Sequence, residues 1–237
     1  MLSIIIPARQ EEEAIQATIQ QFDALTIPHE VIVSDGKSID STVDVARKYA
    51  DVVITFEGER HTAARGRNDG ARASHGDILA FIDADVHILN PNVFFTHALR
   101  HFENPNVVAV TCYQQALPEI ERTSDRISFW ILNSLVNFMN TVLHTGEASG
   151  KCMIVRKSAF EGIGGFRDDL VTREDADLFL RLSKIGKTVC DSKLTVFHGA
   201  RRAHTLGWPY LWTLWLINTL AVAISGTALS KDWTPVR

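Results

Sequence analysis

Over residues 1–112, short β-branched apolar runs alternate with stretches of helical periodicity. The runs Leu2–Pro7, Glu30–Ser34, Val52–Phe56, Ile78–Asp83 and Val107–Cys112 predict strands, and several are continuously apolar, as strands covered on both faces are. Between them, Glu11–Leu25, Thr42–Tyr49 and Thr62–Ser74 predict helices. Three glutamates open the first of these, where negative charge complements a helix N-terminus. This alternation predicts an α/β fold, Rossmann-like, with a mostly parallel central sheet flanked by helices. Ligands of such sheets bind beyond the carboxyl ends of the strands. Polar residues stand at those ends: Arg9 to Glu11, Asp35, and Asp83 to His87.

The pattern changes after Gln115. Ile127 to Leu143 carries no charge and places Asn133, Asn137 and Asn140 at i, i+4, i+7, which predicts an amphipathic helix with an uncharged polar stripe. Two readings fit it: a helix packed on the sheet or on a homodimer partner, and a helix lying at a membrane surface through Phe129 and Trp130. A Gly-rich turn (Gly146, Gly150), a strand at Met153–Arg156, the Gly164-Gly165-Phe166 turn, a helix at Glu174–Ile185 and a short strand ending at Val196-Phe197-His198 follow. Thr205 to Ser230 then runs for 26 positions without a charge. That exceeds the roughly 20 apolar residues of a bilayer span. Arg201 and Arg202 precede the run, Lys231 follows it, and Trp208, Trp212 and Trp215 cluster at one end as an interfacial belt would. The expectation is a C-terminal hydrophobic helix, membrane-associated or transmembrane, with Arg201 and Arg202 marking the cytoplasmic face. Pro209, Asn218 and several Thr and Ser support the competing reading, a buried or dimerising helix. The chain thus divides into 1–115, 116–204 and 205–230.

Composition narrows the class. With 237 residues, 46% of them hydrophobic, the chain can fill one sizeable core. Its 24 Lys+Arg against 28 Asp+Glu lack the basic excess that a phosphate backbone demands, so nucleic acid is excluded as the main partner. Cys112, Cys152 and Cys190 are far apart and odd in number, which suits core thiols in a reducing compartment. No basic region or small-residue cleavage site precedes the first strand, against a removable leader.

The chemistry concentrates at three places. In Phe81-Ile-Asp83-Ala-Asp85-Val-His87, two carboxylates and an imidazole leave an apolar run together; alternate residues of an extended chain point the same way, so all three can share one face. Carboxylates at a strand end suit a hard divalent ion that keeps open positions for phosphate oxygens. Turn chemistry alone is the simpler account of a bare Asp-x-Asp. In Ser34-Asp35-Gly-Lys-Ser-Ile-Asp40-Ser41-Thr42, Asp40 and Ser41 read as helix caps, while Asp35 sits at the strand tip where a ligand lies. In Thr172-Arg-Glu174-Asp175-Ala-Asp177, dipole complementation accounts for Glu174 and Asp177.

Taken in order, Ser3-Ile-Ile-Ile-Pro-Ala8 with Glu11, the Asp35–Thr42 stretch, Ala64-Arg65-Gly-Arg67-Asn68-Asp-Gly70, Asp83-Ala-Asp85, Gly164-Gly165-Phe166 and Glu174-Asp175 with Leu178 and Arg181 resemble family 2 glycosyltransferases of the GT-A fold, over about residues 1–200. The resemblance implies that Pro7, Ala8, Glu11 and Asp35 hold the nucleoside, with Arg65, Arg67 and Asn68 close by. It implies that Asp83 and Asp85 bind ribose and a Mn²⁺ or Mg²⁺ ion on the donor diphosphate, with His87 or His198 as a further ligand and His198 preferred. Arg201, Arg202 and His204 fall where the family has a loop that closes over the donor phosphates. Asp175 resembles the general base of a single displacement with inversion. Arg9 and Gln10 depart from the usual aromatic-Asn pair, Gly36 and Lys37 from Asp-Gly, and the Gln-x-x-Arg-Trp signature of processive synthases is absent, which disfavours a polymerase.

The expected activity is transfer of a sugar from a UDP- or GDP-linked donor to a lipid-linked or membrane-proximal acceptor hydroxyl. Two rivals accompany it: a polyprenyl-phosphate glycosyltransferase, similar to the polyprenyl-phosphate mannosyltransferases, and a non-catalytic nucleotide-binding scaffold subunit.

Overall fold

The computed structural model describes residues 1–56, 62–227 and 229. Seven strands form one sheet in the order β3-β2-β1-β4-β6-β5-β7. β1 (Leu2–Ala8) lies between β2 (His29–Asp35) and β4 (Ile78–Ile82) and is parallel to both, while β3 (Val52–Thr55) extends the sheet beyond β2. The helices α1 (Ile15–Gln20), α2 (Thr42–Tyr49) and α3 (Ala63–Ala73) link these strands, so their carboxyl ends share one edge. β5 (Val107–Ala116) and the edge strand β7 (Lys187–His198) are parallel. β6 (Cys152–Arg156) inserts between β4 and β5, antiparallel to each, so the sheet is mixed and mostly parallel. It is the GT-A-like arrangement expected, and one sheet runs through both 1–115 and 116–204.

Strand period sets the core. Ile4 and Ile6 of β1 face one buried cluster with Phe22 and Phe95; Ile5 between them faces a second with Phe81, Phe160 and Phe179. The three cysteines are free and buried, as core thiols are.

Several boundaries differ from expectation. The helix at Glu11–Leu25 is only α1: the Glu11 carbonyl accepts from the N–H groups of Ala14 and Ile15, closing a turn before the helix begins. α4 (Pro91–Arg100) was not foreseen; Asn90 caps it by accepting from the Val93 N–H at 3.1 Å, and Pro91 fits its first turn. α6 (Lys157–Gly162) was also missed. α5 (Thr123–Thr141) starts four residues before the uncharged run, where Asp125 accepts from the Arg122 N–H at 2.8 Å.

The asparagine stripe of α5 faces the protein. Asn133 exchanges two 3.0 Å bonds with the Gln114 backbone, Asn137 donates to the Cys190 carbonyl and Asn140 to that of Glu147. Ile127, Trp130, Ile131, Leu135 and Phe138 of the same helix remain exposed. The inner face is therefore mixed, the asparagine amides buried alongside Phe129, while large apolar groups are left outward.

α7 (Glu174–Leu182), α8 (Arg201–Leu206) and α9 (Trp208–Ser225) complete the fold. Among the described residues no helix is long and apolar enough to cross a membrane, which corrects the transmembrane reading of 205–230. The 18 residues of α9 rise roughly 27 Å, short of a hydrocarbon core of roughly 30 Å, and Thr213, Asn218, Thr219 and Ser225 interrupt its apolar surface. Residues 228, 230 and Lys231 lie outside the described residues. The tryptophans make no belt either: Trp208, Trp212 and Trp215 pack on one another and Trp208 on Phe129, in a third buried cluster between α5 and α9.

Candidate active site

The carboxyl edge of β1 and β4, the start of β6, the start of α7 and the end of β7 surround one cleft of about 920 Å³. β4 stops at Ile82, and a turn closed by the Val86 N–H on the Asp83 carbonyl (3.1 Å) follows. The chain is thus not extended through His87, whose side chain is exposed and whose backbone pairs with Phe197. His87 is therefore off the face that holds the two aspartates, and among the described residues it is His198 that lines the cleft.

Because β6 is antiparallel to β4, Cys152 pairs with Ile82 and Lys151 arrives opposite Asp83. The Lys151 ammonium sits 2.8 Å from Asp85 and 3.2 Å from Asp83. Burial works against both charges in the Lys151–Asp85 pair, yet their attraction wins: Lys151 is held above its ordinary pKa and Asp85 well below the carboxylate range. Arg201, at the start of α8, reaches Glu11 at 2.9 Å and Asp85 at 3.2 Å. The expected phosphate loop is thus docked on the β1 tip. Its third member, His204, is turned away and bonds Asp125 at 2.7 Å.

Arg67 is buried within α3 and joins the two halves of the cleft. It donates to Asp83 (2.9 Å), to Glu174 (2.8 Å) and to the Gly150 carbonyl (3.1 Å). It was expected beside the nucleoside; it is a strut between the Asp-x-Asp turn and the start of α7. Burial and the adjacent Asp175 push Glu174 up to about 7, against the pull of Arg67. Dipole complementation is thus not the whole of Glu174's role. Asp175 lies in the first turn of α7, with one oxygen accepting from the Ala176 N–H and the other facing Gly150. A Cβ on Gly150 would come 3.1 Å from Arg67 and 3.4 Å from Asp175, so the backbone there is part of the cleft wall.

His198 ends β7. Its Nδ1 accepts from the Ala200 N–H at 3.2 Å, while Nε2 is buried with no hydrogen-bond partner among the described residues. Burial first, then the charge of Lys151, pushes its pKa down to about 3, so the ring is neutral. A neutral imidazole with an idle nitrogen, beside the carboxylates of Asp83 and Asp85, is a donor set that fits a divalent ion.

Pro7, Ala8, Glu11, Arg67, Asp83, Asp85, Asp175, His198, Arg201 and Arg202 all line this cleft. Asp35 lies behind it, beside Ala8 across the β1–β2 ladder; one oxygen accepts from the Ser38 N–H and the other is buried and unpartnered. Two expected residues are elsewhere. Asn68 is occupied by the glycine turn, bonding the N–H and carbonyl of Phe166 and the Asp168 carboxylate, and a Cβ on Gly165 would strike its amide oxygen. Arg65 is exposed, its guanidinium 4.8 Å over the Phe56 ring. Lys151 and the Glu147–Arg173 pair (2.9 Å) went unforeseen. The far half of the cleft is apolar: Leu132, Val136 and Met139 of α5 face Leu211, Trp212 and Trp215 of α9.

The family model "Glycosyl transferase family 2" matches residues 3–164. An uncharacterised glycosyltransferase of Haemophilus influenzae is 29% identical over 198 residues, 77% of this chain and 62% of that protein. The mannosyltransferase PcManGT from Pyrobaculum calidifontis, solved in complex with GDP-Man and Mn²⁺, superposes with a TM-score of 0.74 at 19% identity, covering 94% of this chain and 64% of that one. A glucosyl-3-phosphoglycerate synthase from Mycobacterium tuberculosis, solved with Mn²⁺, UDP and glucosyl-3-phosphoglycerate, gives 0.62 at 19% identity, covering 95% and 79%. The chain thus spans less than two thirds of the Haemophilus and Pyrobaculum proteins.

Proposed function

The chain belongs to glycosyl transferase family 2, and from that membership we propose that it is an inverting, metal-dependent glycosyltransferase moving a sugar from a nucleoside-diphosphate donor to the hydroxyl of a lipid-linked acceptor at a membrane surface. The observation that carries this reading is the two-sided cleft: ionised groups at the sheet edge, an apolar trough between α5 and α9, and Asp175 among the residues that line it.

The β1 tip takes the nucleoside, and Asp35 stands behind it, holding the loop after β2 through its bond from the Ser38 N–H. Asp83, Asp85 and His198 would hold a Mn²⁺ or Mg²⁺ ion, which would supply charge neutralisation on the diphosphate. Ligation through Nε2 would require the His198 proton on Nδ1, at the expense of the long Ala200 contact. Lys151 and Arg201 supply fixed positive charge to the departing diphosphate. Asp175 takes the proton of the acceptor hydroxyl as its oxygen bonds to the anomeric carbon and the carbon–phosphate-oxygen bond breaks on the opposite side. The trough takes the acceptor's hydrocarbon, and the outward apolar face of α5 rests on the membrane.

Two measurements test this. In a thermal-shift panel of UDP- and GDP-sugars, a ligand at a hundred times its dissociation constant stabilises the fold by about 2.7 kcal/mol. One nucleotide is expected to shift the midpoint only with Mn²⁺ or Mg²⁺, and not in Asp85→Asn; no metal-linked shift with any donor returns the scaffold reading. Asp175→Asn is expected to lose roughly 10²-fold or more in kcat. Near-normal turnover in that variant indicates an acceptor that is already an anion, a polyprenyl phosphate.

A further inference from the structure

A second cluster of ligating side chains lies on the edge strand, away from the cleft. His97, in the last turn of α4, and His101, in the 3-10 turn that follows, are four residues apart and so share one helical face. Both present Nε2 to the same atom, Oδ2 of Asp191 on β7, at 2.8 Å and 2.7 Å. The three ligand atoms lie within 4.8 Å of one another. Asp191 pairs with Cys112 and His198 with Ala116, four residues further along β5, roughly 13 Å, and none of His97, His101 and Asp191 lines the cleft, so the cluster is separate from the transfer site.

Three features make this an arranged site. The register of β7 against β5 slips directly after Asp191: Cys112 pairs with Asp191 but Tyr113 with Thr195, and the bulge re-aims the strand at that point. The other Asp191 oxygen accepts from the Lys193 N–H at 2.8 Å, an outer bond of the kind that fixes a metal-binding carboxylate. The histidines are fixed by what lies between and before them, since Phe94, Phe95 and Ala98 bury α4 in the core. His97 and His101 remain 31% and 28% exposed, so an ion can enter from solvent and keep a water.

We propose that His97, His101 and Asp191 bind a first-row transition ion, with Zn²⁺ the best fit, in a two-nitrogen, one-oxygen set completed by water, fastening α4 to the edge strand. Two imidazole nitrogens and a carboxylate oxygen are a known zinc ligand set, in which an open fourth position is ordinary. The ion's role here is structural: it ties a helix to the strand whose far end carries His198.

The test uses the full chain, stripped with EDTA and titrated with Co²⁺, whose visible absorption intensifies in four-coordinate nitrogen–oxygen sites. The intense band is expected in the unaltered protein and in Asp85→Asn, and is expected to vanish in His97→Gln and in His101→Gln. A band that survives both histidine substitutions, or that is absent from the unaltered protein, overturns the proposal. Crystals soaked in Zn²⁺ give a check that needs no variant: an anomalous peak between the three side chains supports the site, and a peak at Asp85 without one here rejects it.

Discussion

On the sheet side of the cleft, Glu11, Asp83, Asp85, Arg67, Lys151 and Arg201 hold one another in ion pairs of 2.8 to 3.2 Å before any ligand arrives. On the helix side, Leu132, Val136, Trp212 and Trp215 offer shape and little else. The first wall is preorganised electrostatics, whose worth comes from not having to rearrange when charge develops. The second is a packing surface, and its position depends on how α8 and α9 are pinned to α5. Damage to the first wall is expected to be severe and local; damage to the second, graded and dependent on the acceptor.

The largest effect expected is from Arg67→Ala. It leaves Glu174 without a cation and Asp83 with Lys151 alone, and breaking a buried pair from one side costs about 3–5 kcal/mol. Chemical denaturation should show that loss, together with collapse of activity, because the same side chain sets the distance between the Asp-x-Asp turn and α7. Next comes Lys151→Gln, expected to fold but to lose roughly 10²–10³ in kcat, as removal of a preorganised charge does. Steady-state kinetics with saturating Mn²⁺ checks it. Undiminished kcat would mean that the ion alone carries the leaving group and that the first wall is less fixed than it looks.

The two walls were also unequally legible in the sequence. Glu11, Asp83 and Asp85 could be placed at the cleft because parallel strands put their carboxyl ends on one edge, where polar residues follow the apolar runs; Asp35 reaches the same edge but stands behind the cleft. Lys151 could not. It precedes an apolar strand like any turn residue, and only the insertion of β6 antiparallel to β4 brings it opposite Asp83. His198 over His87 was likewise a tertiary matter, because the turn after Ile82 ends the alternation on which His87 depended. On the helix side, periodicity located α5 and its asparagine stripe. It could not say which face turns inward, since amides that bond to strand backbone are as good an inner face as leucines. Arg65 and Asn68 show the limit of motif transfer: the stretch matches, yet Asn68 holds the glycine turn.

A smaller effect tests the pinning of the second wall. Asp125 is fully buried and accepts from His204 (2.7 Å), the Trp208 indole (2.7 Å) and the Arg122 N–H, which ties α8 and α9 to α5. Asp125→Asn is expected to cost about 1–3 kcal/mol at neutral pH. Burial opposes the charge, but these three bonds hold the carboxyl below its ordinary 3.8. Its contribution is therefore complete above that value and is lost as pH falls below it. Melting curves of the two proteins should differ at pH 7 and converge in acid; a constant gap would mean that the side chain acts through packing alone.

The smallest effect separates the trough from the outward face of α5. Trp130 and Phe138 are 70% and 47% exposed and do not line the cleft. Full burial of a large apolar side chain is worth about 1.5–3 kcal/mol, and a helix lying in an interface buries its apolar face only in part. Trp130→Ser with Phe138→Ser is therefore expected to weaken sedimentation with lipid vesicles by roughly tenfold, about 1.4 kcal/mol. Turnover of a short-chain, water-soluble acceptor should be unchanged, because neither ring touches the trough. Trp215→Ala is expected to do the reverse, raising KM for long-chain acceptors while leaving vesicle binding intact. If both substitutions moved both quantities together, the trough and the face would be one surface, and the apolar half of the cleft would have to be read as a membrane contact instead of an acceptor site.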